Sequence, residues 1–114
     1  MRIVDLKTFR AMPKGIIAAK YEPCVFGELF VKGATIEGNN DFFLAYLTNE
    51  IDYDDLDDRH NQLDACANGT PIKMIFDEYI RDGCFDDDQM FAVWDRSDIE
   101  GLISTLTRSL SVCP

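Results

Sequence analysis

No run of about 18 apolar residues occurs in the chain, so the sequence offers no segment that would cross a bilayer as a single helix. Histidine occurs once, at His60, and the four cysteines (Cys24, Cys66, Cys84, Cys113) form no C-x-x-C pair. A structural zinc site needs about four closely spaced N/S ligands, and that pattern is missing. There is no GxGxxG, Walker A, GxSxG or HExxH motif. Basic residues are scarce in the second half. Residues 50–100 hold four Lys/Arg (Arg59, Lys73, Arg81, Arg96) against sixteen Asp/Glu, whereas residues 1–49 hold six against five. The net charge is −10. A chain so charged repels nucleic acid and anionic membranes and attracts basic surfaces. The cations of the first half (Arg2, Lys7, Arg10, Lys14, Lys20, Lys32) form no dense patch, so direct nucleic-acid binding is not expected.

What is present is a foldable body. At 114 residues the chain fits one domain, residues 1–114, and it can bury about two thirds of its extended surface. Eight Phe, four Tyr and a Trp are too much aromatic material for a disordered acidic tail. The opening Met1-Arg2-Ile3-Val4-Asp5 meets a carboxylate before an apolar h-region forms, so no secretory signal is expected. A cytoplasmic location with reduced, mostly buried thiols follows as the expectation.

The pattern predicts a short helix from Asp5 to Met12, capped by Asp5 and stopped by Pro13-Lys14-Gly15. Strands are expected at Ile16–Tyr21 and Leu29–Ile36, the second interrupted at Gly33, followed by a turn at Glu37-Gly38-Asn39-Asn40. Asp41–Ile51 fits a helical stripe (Phe43, Tyr46, Leu47, Ile51) as well as a strand face (Phe42, Leu44, Tyr46). The preceding turn favours the strand. Leu56, His60, Leu63 and Ala67 recur at helical spacing, which predicts a helix from Asp55 to Asn68 with His60 packing at its boundary. Ile72–Phe76 and Met90–Trp94 read as two strands of a hairpin with a long acidic loop. Ser97-Asp98-Ile99-Glu100 reads as a capping box. It opens a last helix whose stripe of Ile99, Leu102, Ile103, Leu106 and Leu110 is expected to face the core. The predicted class is α+β: one antiparallel sheet of about four strands with helices on one face.

Chemistry is harder to find. Asp52-x-Asp54 starts like a calcium loop, but its fifth, sixth and twelfth positions are Leu56, Asp57 and Leu63, which removes both ligands and turn. His60 lacks a flagged thiol partner and an oxyanion pattern. Neither a metal, a cofactor nor catalysis is expected. The acidic surface itself remains as the candidate site: Asp52, Asp54, Asp55, Asp57, Asp58 and Asp64, then Asp77, Glu78, Asp82, Asp86, Asp87 and Asp88, with Tyr53, Tyr79 and Phe85 interleaved as apolar anchors. The expected partner is a basic protein surface built to hold phosphates.

Three stretches carry a resemblance: Asp5-Leu6-Lys7-Thr8-Phe9-Arg10-Ala11-Met12-Pro13-Lys14-Gly15, Lys20-Tyr21-Glu22-Pro23-Cys24, and Phe85-Asp86-Asp87-Asp88-Gln89 running into Ala92-Val93-Trp94. With them the chain resembles small phage- or prophage-encoded accessory proteins. Its size and charge are similar to those of anti-CRISPR and other anti-defence proteins. That likeness is to a class and assigns no residue. It implies an inhibitor of a bacterial nucleic-acid-processing complex, the alternatives being an immunity protein or antitoxin against a cytotoxic nuclease, or a phage structural subunit.

Overall fold

The computed structural model describes residues 1–47, 50–83 and 86–114. The chain runs β1 (Arg2–Val4), α1 (Leu6–Ala11), β2 (Ile17–Glu22), β3 (Val25–Thr35), β4 (Phe42–Tyr46), β5 (Glu50–Ile51), α2 (Leu56–Ala67), β6 (Met74–Ile75), β7 (Ile80–Arg81), β8 (Met90–Val93) and α3 (Arg96–Leu110). It is a mixed α/β fold on antiparallel pairing. The main sheet has six strands rather than four, in the order β1-β8-β2-β3-β4-β7, and β5 and β6 form a separate two-stranded ribbon.

The first helix forms as its sequence dictates. The Asp5 carboxylate accepts from the Thr8 amide at 2.8 Å. Bonds from Thr8 hold that carboxyl below its ordinary pKa. Leu6 and Phe9, three apart, point the same way and are buried. Phe9 lies fully buried on the sheet. Its ring stacks on Phe91 at 4.1 Å and meets Phe42 edge-on at 5.1 Å and Phe30 at 6.0 Å. Ala18, Leu44 and Val93 complete this core. The helix end is fastened to β3: the Arg10 guanidinium donates to the Ile36 carbonyl, and the Thr35 hydroxyl donates to the Arg10 carbonyl.

Two turns shape the sheet. Glu22 pairs with Val25, leaving Pro23 and Cys24 as a two-residue turn, and Cys24 takes φ of 66°. Proline followed by a residue of positive φ is the type II arrangement. Gly33 is needed for close approach: a Cβ there would lie 2.9 Å from the Cβ of Phe43 and 3.0 Å from the ring of Tyr79. The β3–β4 register shifts at this point, between Lys32 and Thr35, where the sequence suggested an interruption.

Several expectations are corrected. Met90–Val93 does not return as a hairpin with Ile72–Phe76. It enters the sheet between β1 and β2, while Met74–Ile75 pairs with β5. The reason is burial: Phe91, Ala92 and Val93 are buried in succession, so their backbone is best paired on both edges, which an interior strand allows, while α1 covers the face that carries Phe91 and Val93. The segment from Asp41 is a strand to Tyr46, and Glu50–Ile51 belongs to the ribbon. Thr48 and Asn49 lie outside the described residues. The last helix is capped by Asp95, not Ser97, with Asp98 reaching back to the Asp95 amide. The helices are not gathered on one face. Only α1 places buried residues in the core, and neither α2 nor α3 holds a fully buried side chain. The first turns of α3 instead line, with Ala19 and Leu29, a cavity of ≈ 560 Å³. Those two residues are the chain neighbours of Ala18 and Phe30, so they stand on the sheet face away from α1.

A cation sits inside this core. Lys32 is 1% exposed, with its ammonium 5.8 Å from the centre of the Phe9 ring. It donates to the Gly33 carbonyl and the Thr35 hydroxyl, both neutral. Burial, and secondarily the nearby Arg10 charge, pushes its pKa down. In the window just below its ordinary value of about 10.4, the unfolded chain therefore holds more protons at this site than the folded one, and stability rises with pH. Lys32→Met removes that contribution. Urea midpoints measured from pH 7 to 10 should climb less steeply in the variant than in the wild type; identical slopes would refute the assignment.

Candidate interaction surface

The acidic residues divide into three environments. The first is the ribbon end of the molecule. The Asp52 amide donates to the Lys73 carbonyl, which brings the approach to α2 beside the start of β6. Asp55 caps α2 by accepting from the Asp58 amide at 2.7 Å, and Asp58 accepts from the Asp54 amide and the Gln62 side chain. These two carboxylates are thus engaged in shaping the helix start, where the macrodipole favours negative charge. Glu50 accepts from Arg59 and from the Ile51 amide. Burial opposes the ionised Glu50, but these bonds outweigh it and its pKa falls. Arg59 in turn lies 6.0 Å from the Tyr53 ring centre, so Tyr53 is partly occupied within the domain.

Asp52, Asp54 and Asp57 are exposed and have no side-chain partner among the described residues. Asp77 and Glu78, just past β6, are exposed too. Asp64 lies two turns along α2 from Asp57, on the same side, with His60 3.5 Å away. His60 is exposed instead of packed at a boundary.

The second environment is the loop before β8. The Asp88 amide donates to Asp86, closing a local turn, and the Asn40 side chain bonds Asp87. Asp87 shares a cavity of ≈ 300 Å³ with Leu6, Lys7, Arg10 and Asn40, so this loop faces the cations of α1. Phe85 and Cys84 lie outside the described residues. Asn40 precedes β4 and the ribbon follows it, so the two acidic groups sit at opposite ends of that strand, roughly 17 Å long for five residues.

The third environment is interior. The Asp82 side chain is 2% exposed and pairs with Lys20 at 2.9 Å, which takes it off the surface expected for it. Tyr79 is half-exposed but stands over Gly33 with Phe43, at a cavity of ≈ 550 Å³ that Lys14 and Lys32 also line. It is an aromatic among cations rather than among carboxylates.

One acid escaped the sequence reading. Asp41 is buried, accepts from the Phe42 and Gly83 amides at 2.9 and 2.8 Å, and pairs with Arg81. It pins β7 and the following residues onto β4. In sequence Asp41 only opens the segment that follows the turn Glu37-Gly38-Asn39-Asn40, and nothing there marks it as buried. The thiols are corrected as well: Cys24, Cys66 and Cys113 are exposed. Among the described residues no group of three or more His, Cys, Asp or Glu is arranged to hold a metal ion, and no helix is long and apolar enough to cross a membrane.

In comparisons with known proteins, no family model, no curated protein and no solved structure matches the chain.

The Lys20–Asp82 pair has a measurable consequence. Lys20 reaches in from a partly exposed position, so removing it strands the buried Asp82, whereas replacing both with apolar groups is closer to neutral. Lys20→Met should lower the unfolding free energy by about 1–2 kcal/mol, and the double variant Lys20→Met/Asp82→Leu should recover most of the loss. Urea titrations of the two proteins decide it; equal stability of the single variant and wild type would contradict an inward, paired Asp82.

Proposed function

We propose that the protein is a non-enzymatic inhibitor of the anti-CRISPR kind, phage-encoded and acting in the bacterial cytoplasm. In this reading its acidic ribbon end occupies a Lys/Arg-lined nucleic-acid-binding site on a defence complex. The observation that carries this reading is the separation of the acids by use. Asp41, Asp55, Asp58 and Asp82 are engaged within the domain. Asp52, Asp54, Asp57, Asp77 and Glu78 stand exposed around the β5–β6 ribbon, the first three where Asp52 meets Lys73 and the last two past its other end, with Glu78 beside Tyr46 and Ile80. Such carboxylates, unpaired among the described residues, are open to a cationic partner. They steer its approach and mimic a row of phosphates, while an apolar neighbour such as half-exposed Tyr53 slows release. The loop at 86–88 is the weaker contributor, because Asp87 is bonded to Asn40 and Lys7 and Arg10 lie beside it.

The test is a plating assay on a host with an active nucleic-acid-targeting defence. Expression of the wild-type protein should raise phage plating by at least tenfold. Asp52→Lys/Asp54→Lys/Asp57→Lys with Asp77→Lys/Glu78→Lys should abolish the rise with the far-UV spectrum unchanged. Asp86→Lys/Asp87→Lys/Asp88→Lys should retain it within about threefold, as expected for charges outside the contact. Full protection by the ribbon-end variant, or none by the wild type, would overturn the proposal.

A further inference from the structure

The last helix carries an apolar seam that nothing in the fold covers. Ile99 and Leu102 are half-buried against the body, but Ile103 is 56%, Leu106 58% and Leu110 73% exposed, and Val112 just beyond is 83% exposed. A 15-residue helix is marginal in water on its own, so a helix with this face bare gains most of its stability from a partner.

The spacing says what kind of partner fits. Ile99, Ile103, Leu106 and Leu110 are separated by four, three and four residues, the narrow seam that packs against another helix through knobs into holes. Charge says which helix. The chain is at −10, yet α3 holds Arg96 and Arg108 against Asp98 and Glu100 and is neutral. Arg96, the one charge in line with the seam, is tied to Glu100 at 2.7 Å. A basic partner is drawn to the ribbon end, and nucleic acid is repelled by the whole molecule. A second copy meets this neutral face without placing like charges in the seam, and the repulsion between two chains of −10 is least where their acidic bodies are held apart.

Area agrees in kind: Ile103, Leu106 and Leu110 are each more than half exposed, so pairing two copies withdraws six large apolar side chains from water, together with the residues that flank them. We infer that α3 pairs with α3 of a second copy, antiparallel, to form a homodimer. Ile103 then packs on Leu106 of the second copy, and Ile99 on its Leu110. The antiparallel sense opposes the two helix dipoles, separates the two Arg96 side chains, and sets the acidic bodies at opposite ends of a seam about 17 Å long.

The inference is independent of the proposed inhibitory role, since the dimer leaves residues 52–57 and 77–78 open. Sedimentation equilibrium of the full chain from about 1 to 100 μM should show about twice the 13.0 kDa chain mass. Ile103→Glu/Leu106→Glu should give the single-chain mass throughout that range, while Thr105→Glu, on the far side of the helix, should leave the dimer intact. Near-UV spectra check that the sheet survives. In an oxidised mixture of chains whose four native cysteines are replaced by serine, Ile103→Cys chains should cross-link to Leu106→Cys chains in preference to themselves. A wild-type monomer at 100 μM, a dimer that survives Ile103→Glu/Leu106→Glu, or preferential self-linking would each overturn it.

Discussion

Everything in this fold rests on one aromatic contact, the stacking of Phe9 on Phe91. The helix that bears Phe9 is only six residues long, yet it is the sole helix that contributes to the core. Phe30, Phe42 and Phe91 come from three different strands, and they converge under a single ring. Edge-to-face and stacked arrangements make such a cluster directional as well as apolar, so it fixes where α1 sits. Because α1 is fastened in turn to Thr35 and Ile36, the helix also sets the path of β3 as it approaches the turn into β4.

A core held by so small a cap leaves the other two helices on the outside, and this explains how the charge is distributed. Acids on α2 and its approach need no burial, and some of them serve the helix itself through capping. Those nearer the sheet are absorbed: Asp41 into the β4–β7 junction and Asp82 into a pair with Lys20. The same residue type therefore serves as cap, internal strut and solvent-facing charge within about forty residues. A count of carboxylates by itself overstates the negative surface.

The local elements were legible because their causes are local. Asp5 capping α1, the helix over residues 56–67, the strands around Ile17 and Phe42, and the irregularity near Gly33 all follow from cap chemistry, spacing and breakers. Pairing was not legible. Met74-Ile75 and Met90–Val93 look like partners along the chain, but which strands adjoin is decided by packing between residues far apart in it, Phe91 beneath Phe9 above all. The α3 stripe misled for a related reason: periodicity reveals an apolar face without saying whether the face is turned inward. The candidate site was half readable. Asp52, Asp54 and Asp57 are exposed, but Asp82 is hidden because Lys20, sixty-two positions earlier in the chain, reaches it.

The place of β8 between β1 and β2 has a temporal meaning. The strand at the centre of one half of the sheet is synthesised last among the strands. Until residue 93 leaves the ribosome, Arg2–Val4 has no neighbour and one edge of β2 stays open. Phe9 meanwhile lacks the ring on which it stacks. The domain therefore closes late and all at once, around its youngest strand, and a chain truncated before that strand would expose an unfinished edge.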